Sequence, residues 1–246
     1  MNTEILENDE KIYIPTLESI IKLFDSSVYR VDRSKLISDV FEAMAISISN
    51  RVDRKHYEPR EQRYMQLMKS YQPDEQKLLY KIAAEIFPLC SSCTHPRGRF
   101  NDWLGELYMQ SNTSNAKAGQ FFTPFDVSKA AAQMALDPAI IEDKKSRNEI
   151  LSISEPACGS GGMILAALDV LWNKFGFNYA ENVFVEAGDI DSRCVHMCYI
   201  QLSLAGVPAI VKQQDALSRQ MWSVWYTPAY LFQYLRFRHF EECARI

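Results

Sequence analysis

Leu151-Ser-Ile-Ser-Glu-Pro-Ala-Cys-Gly-Ser-Gly-Gly-Met-Ile-Leu-Ala-Ala-Leu168 is the stretch whose reading decides the fold. Leu151 and Ile153 alternate with serines, which is the period of a strand. Pro156 to Gly162 is rich in turn formers, and Met163 to Leu168 is a run of helix formers. Strand, glycine-rich turn and helix together make the first half of a nucleotide-binding α/β unit. Glycines there let the backbone approach a ligand, and the helix start offers unpaired N–H groups. The match to G-x-G-x-x-G is partial: Gly159 and Gly161 stand two apart, and a bulky apolar residue occupies the third glycine position. A tight turn alone would also explain the pair. Glu155 at the strand end narrows the ligand: a carboxylate there repels a pyrophosphate and suits an ammonium or sulfonium group.

Further along, Asn182-Val-Phe-Val-Glu-Ala-Gly-Asp189 predicts a second strand ending in acid. In dinucleotide-type folds a carboxylate at this place accepts hydrogen bonds from ribose hydroxyls. Asp191, two residues on, is at home as a helix cap. Arg193 to Leu204 predicts the next helix, and Val207 to Val211 a third strand leading to Asp215. Met221-Trp-Ser-Val-Trp-Tyr226 has strand character and is followed by Thr227-Pro228-Ala229-Tyr230.

Glu155-Pro156-Ala-Cys-Gly159-Ser-Gly161-Gly-Met163 resembles the S-adenosylmethionine (SAM) binding motif of N6-adenine DNA methyltransferases, most closely the modification subunits of type I restriction systems. Gly119-Gln-Phe121-Phe-Thr123-Pro124 resembles that family's second SAM-contacting segment. The likeness covers roughly residues 100 to 230. It implies a Rossmann-like α/β core with SAM as cofactor, held by Phe121, Thr123, Glu155, Pro156, Gly159, Gly161, Asp189 on the ribose, Asp191 as back-up, and Asp215 on the adenine amino group. The family's catalytic Asn-Pro-Pro-Phe/Tyr holds a flipped adenine by its amino group and stacks on it. Thr227, Pro228 and Tyr230 would occupy that place. Thr227 lacks the amide carbonyl, so activation of the amine should be poor. A strand end followed by a helix start at Pro228 is the alternative reading of the same residues.

Residues 1–110 read as helical and 111–246 as the α/β part, with the polar run Ser111 to Ala118 between them. Apolar residues at helical spacing (Leu17, Ile20, Ile21, Phe24; then Leu36, Ile37, Val40, Phe41, Met44) predict the first two helices. Glu61–Tyr71, Asp74–Phe87 and about Phe100–Gln110 predict three more, and Asp137–Asn148 reads as a charged connector. The expected sheet is incomplete, in the order 3-2-1-4, with the aromatic fourth strand at an edge. The final helix, the N-terminal helices or a second copy must cover it, so a homodimer is expected.

Hydrophobic residues make up 47% of the 246 and charged residues 24%, ordinary for a soluble globular chain. No apolar run is long enough for a bilayer, and the first ten residues are acidic, so a cytoplasmic location without membrane is expected. The six cysteines then read as reduced thiols. Cys90, Cys93 and His95 invite a zinc reading but lack a second ligand pair at suitable spacing; Cys194 and Cys198 read as small buried hydrophobes. A net charge of −4 is awkward for gripping DNA alone. The DNA partner implied by the resemblance would therefore be reached through a local basic face or a specificity subunit of a restriction-modification system. Two functions stay open at this stage: a DNA adenine-N6 methyltransferase, or a catalytically deficient SAM-binding regulator or assembly subunit. A scaffold that has also lost the SAM site fits the intact Glu155–Gly162 segment least.

Overall fold

The computed structural model describes residues 15–26, 32–94, 99–111, 121–234 and 236–237. Five helices come first: α1 (Leu17–Asp25), α2 (Arg33–Asn50), α3 (Tyr57–Lys69), α4 (Pro73–Cys90) and α5 (Trp103–Ser111). Their starts are set by side chains that satisfy the open N–H groups of a first turn. Thr16 accepts from Ser19 N, and Asp32 from Lys35 N at 2.8 Å. Glu75 reaches back to Gln72 N at 2.7 Å, closing a capping box ahead of Pro73. Pro88 does not end α4 as its position suggests; it sits in the last turn and the helix runs to Cys90.

Next come α6 (Phe125–Ala135), α7 (Pro138–Ser146), β1 (Leu151–Glu155), α8 (Gly162–Phe175), α9 (Tyr179–Asn182), β2 (Val183–Asp189), α10 (Ser192–Leu204), β3 (Ala209–Gln214), β4 (Met221–Tyr226) and α11 (Pro228–Phe232). The expected connector after Leu136 is helix α7. Asp137 caps it by accepting from Ala139 N at 2.8 Å, and Pro138 opens it, signals that a charged composition masked.

The sheet corrects the expected strand order. It runs β1-β2-β3-β4, with the first three strands parallel and β4 antiparallel to β3. The reason is chain length. Only residues 215–220 join β3 to β4, whereas a parallel neighbour needs a crossover of about a dozen residues or more. The short link can only turn back as a hairpin. Asp215 builds that turn, accepting from Leu217 N at 2.9 Å and from Ser218 Oγ at 2.8 Å, while its own N–H reaches Gln220 O at 2.9 Å.

Strand residues alternate between two apolar layers. Val183, Val185, Ala209, Val211 and Trp225 belong to the main core, while Phe184 and Ile210 join Tyr230 and Phe237 in a smaller cluster. Between sheet and N-terminal helices lies α10, buried at every residue from Cys194 to Leu202. A helix without a polar stripe has to be covered all round: it packs on β2 and β3, and on α2, α4 and α5. The core is therefore continuous from the N-terminal helices to the sheet. Among the described residues no helix is long and apolar enough to cross a membrane.

The outer edge of β4 is met at Val224 and Trp225 by α3, while Met221 and Trp222 stay exposed. Arg60 of α3 donates through Nη2 to Val224 O at 2.6 Å, and its guanidinium lies 4.1 Å from the Trp225 ring centre. Nη1 bonds Asp53 at 2.8 Å. One cation thus occupies an edge carbonyl that would otherwise be open to pairing.

Candidate functional site

The glycine-rich turn joins the ends of β1 and β2. Cys158 N donates to Gly188 O at 2.8 Å, and Gly159 N to Asp189 Oδ2 at 2.9 Å. The other Asp189 oxygen accepts from Asp191 N at 2.9 Å. Gly161 closes the turn with φ +99°, conformational space that side chains avoid. A Cβ there would also stand 3.2 Å from Cys198 Sγ. The chain then enters α8, whose first N–H groups face the same end of the sheet.

Glu155 and Asp189 thus sit at the carboxyl ends of adjacent parallel strands, with the loop between them. Glu155 is half-buried and its Oε1 accepts from Ala157 N at 3.2 Å, leaving most of its hydrogen-bonding capacity open. Asp191 does what its alternative reading required: it caps α10, accepts from Arg193 N at 2.9 Å, and is gripped by the Arg193 guanidinium, which also donates to Tyr108 at 2.9 Å. Asp215 lies at the same end of the sheet, its carboxyl held below the usual range by the bonds from Leu217 and Ser218 in the hairpin turn. Phe121 is 90% exposed and Thr123 is exposed too; Phe122 is the aromatic that leans on the loop, within 3.1 Å of where a Gly159 side chain would begin. Pro156 is exposed on the turn. Gly119 falls outside the described residues.

Sequence reasoning missed what lies beneath the loop. Asp102 is 3% exposed and caps α5, accepting from Gly105 N at 3.0 Å. It also accepts from Ser160 Oγ at 2.5 Å and from Gln201 Nε2 at 2.9 Å. Gln201 donates in turn to Ser160 O at 2.8 Å and accepts from Leu104 N at 3.2 Å. α5, α10 and the loop meet at this carboxylate. A Cβ on Gly162 would come within 2.8 Å of it, so that residue has to be bare. Burial pushes the Asp102 carboxyl up, against the opposing pull of Ser160, Gln201 and Gly105. The available signal was an Asp two residues after Phe100 at the head of a helix, a cap by rule; its second task is a tertiary contact that no local pattern carries.

Thr227, Pro228 and Tyr230 are not brought to this site. Because β4 runs backwards, Tyr226 pairs with Ile210 near the start of β3, and the chain leaves at the opposite end of the sheet from the loop, roughly 15–20 Å away by strand rise. Thr227 Oγ1 accepts from Ala209 N at 2.9 Å and donates to Val207 O at 2.7 Å, tying β3 to β4. Pro228 opens α11. Tyr230 is fully buried, its ring 5.5 Å from Tyr226 and 5.9 Å from Phe184. A ring with no exposed face cannot stack on a base in this conformation.

Cys158, Cys194, Cys198 and His196 are packed in the interior. Burial pushes the Cys194 thiol up, and Cys158 and Cys198 lie packed beside the loop. His196 meets Trp225 edge-on at 5.1 Å, and burial brings it down to about 4. Among the described residues no group of three or more His, Cys, Asp or Glu could hold a metal; His95 falls outside them.

Three parallel strands with an antiparallel fourth, a glycine loop at the ends of the first two and helices ahead of the sheet define an incomplete methyltransferase-like α/β core. The chain belongs to the N-6 DNA methylase family, whose model matches residues 99–228. The matched stretch starts just ahead of Asp102 and ends at Pro228, leaving α1 to α4 outside it. No curated protein matches the chain.

Proposed function

We propose that the chain binds SAM at the Glu155–Gly162 loop and serves the methylation of adenine N6 in DNA. The observation that carries the reading is the pairing of a glycine loop with two carboxylates at adjacent strand ends, inside the stretch that defines the family. The residues fit the donor: a bare-backbone turn admits close approach, and Glu155 has acceptor capacity for a cationic group. Glu155 accepts from the ammonium group, Asp189 receives ribose hydroxyls on its remaining lone pairs, and Asp215 faces the adenine amino group. Gly159 and Gly161 keep the backbone clear, and Phe121, Thr123 and Pro156 border the turn. Asp191 serves by fixing α10. When bound, SAM supplies an electrophilic methyl group.

A second reading is favoured by one specific observation, the placement of Thr227 to Tyr230 at the far end of the sheet. With those residues employed in the core, the groups that hold an adenine come from elsewhere, and the chain acts as a SAM-binding regulator or assembly subunit. DNA contact through a partner subunit and pairing of two copies belong to both readings.

Titration calorimetry with SAM tests the common part: saturable binding is expected, weakened by Glu155→Ala. Absence of binding in the wild-type chain refutes both readings. Transfer of labelled methyl from SAM to adenine-containing DNA then separates them, since tight binding without transfer selects the regulator.

A further inference from the structure

A cavity lies in the N-terminal helices, outside the glycine loop and the matched stretch. It is a slot of about 270 Å³ between α2, α3 and α4, with Val40, Met44, Leu79 and Ala83 among its apolar walls. It opens onto a polar chamber of about 470 Å³, and Ser47, Arg51 and Tyr64 line both. The rim carries the Tyr80 and Phe87 side chains, 53% and 52% exposed. Open apolar surface beside a polar mouth costs solvation energy and marks a binding site.

The charges around the mouth are unequal. Several cations in these helices have carboxylate partners, among them Arg33 with Asp25, Lys35 with Asp39, Arg60 with Asp53 and Arg63 with Glu42. Arg51 and Arg54, both on the polar chamber, have no carboxylate partner among the described residues. Glu61, on the same wall, is bonded to Asn50 Nδ2 at 2.8 Å. Arg51 caps the carboxyl end of α2, which suits a cation but leaves its fork of donors free. Hydroxyls stand at the same opening: Ser47 and Tyr64 line both spaces, and Tyr80 lines the slot.

We propose that this slot binds an amphipathic carboxylate, with an unbranched aliphatic tail between α2 and α4 and the head group on Arg51. The apolar walls offer a tail nothing but dispersion and desolvation, which excludes a sugar or a nucleobase with many polar edges. A carboxylate matches the guanidinium fork and accepts from the tyrosine hydroxyls, the strongest pairing available at the mouth. Arg54 adds a second positive charge to the chamber and excludes cationic amphiphiles.

The test is titration calorimetry of the full chain with decanoate, kept below its micelle concentration, against decanol, which has the same tail and no charge. Decanoate should bind saturably, about tenfold tighter than decanol. Arg51→Ala should erase that difference while leaving the melting temperature in place, because Arg51 is exposed. Ala83→Phe, a half-exposed position on the slot wall, should abolish binding of both. No saturable binding of decanoate overturns the proposal. So does an unchanged difference in Arg51→Ala, or unchanged binding in an Ala83→Phe variant that melts normally. Light scattering supplies the remaining alternative: a dimer that Ala83→Phe dissociates would give the slot to a second copy and overturn the small-ligand assignment.

Discussion

Replacing Asp102 with alanine should be among the most damaging single substitutions in the chain. The carboxylate accepts from Gly105 N, Ser160 Oγ and Gln201 Nε2 in a 3%-exposed position. Truncation leaves the first two donors without an acceptor and strips Gln201 of one of its two. It also opens a void the size of the carboxyl group. At roughly 1–3 kcal/mol for each buried donor left unmet, partly relieved where water enters, the loss is about 3–5 kcal/mol. Desolvation of the carboxylate is relieved at the same time, which keeps the figure from rising further. For a chain of this length such a loss lowers the melting temperature by roughly 10 °C. Because Ser160 lies between Gly159 and Gly161, loosening it should also weaken SAM binding beyond the effect on stability. Asp102→Asn keeps the acceptor for Gly105 and should recover most of the stability. Thermal melts by circular dichroism and SAM titrations at a temperature where all variants are folded make the measurement. A melting shift below about 2 °C for Asp102→Ala would refute the assignment of this carboxylate as the joint between loop and helices.

Other outcomes follow from the same geometry. His196 is held neutral, down to about 4 against an ordinary 6.5, so stability present above pH 6.5 should fall as pH drops toward 4, by about 3 kcal/mol; denaturant unfolding at a series of pH values should show that slope, flattened in His196→Gln. Tyr230→Ala should cost about 3–5 kcal/mol as a buried aromatic yet leave the SAM dissociation constant unchanged; a selective loss of affinity would place Tyr230 back in the ligand site. Arg60→Ala leaves the buried Asp53 carboxylate with His56 as its remaining side-chain partner and frees Val224 O, so a loss of roughly 2 kcal/mol and earlier aggregation on heating are expected, read by light scattering during a thermal ramp.

The loop and its two acids were legible because they are local: a strand period, a glycine turn and acids at strand ends are all written in consecutive residues. The parallel core and the helical N-terminal part were legible for the same reason. The place of β4 was not taken from pattern, although chain length contained it; six residues between Gln214 and Met221 permit a hairpin and nothing wider. The expected order came from family likeness overriding that arithmetic, and the base-holding role for Thr227 and Tyr230 rested on the same step. Asp102 and Gln201 were illegible for a different reason. Their partners stand 58 and 99 residues away along the chain, and a lone Asp or Gln carries no mark of such a meeting. Phe122 rather than Phe121 leans on the loop because neighbouring residues point to different sides, a parity that adjacent phenylalanines conceal.

The burial of α10 on every side has a consequence for how the chain is made. Its partner α2 leaves the ribosome some 150 residues before α10 does, so the apolar flank of α2 waits through most of synthesis for its cover. Native structure in the N-terminal helices is thereby tied to late-arriving sequence, and high contact order of this kind slows assembly. Nascent chains halted before Ser192 should accordingly be chaperone-bound and protease-sensitive, and protection should come on abruptly once Leu204 has cleared the exit tunnel.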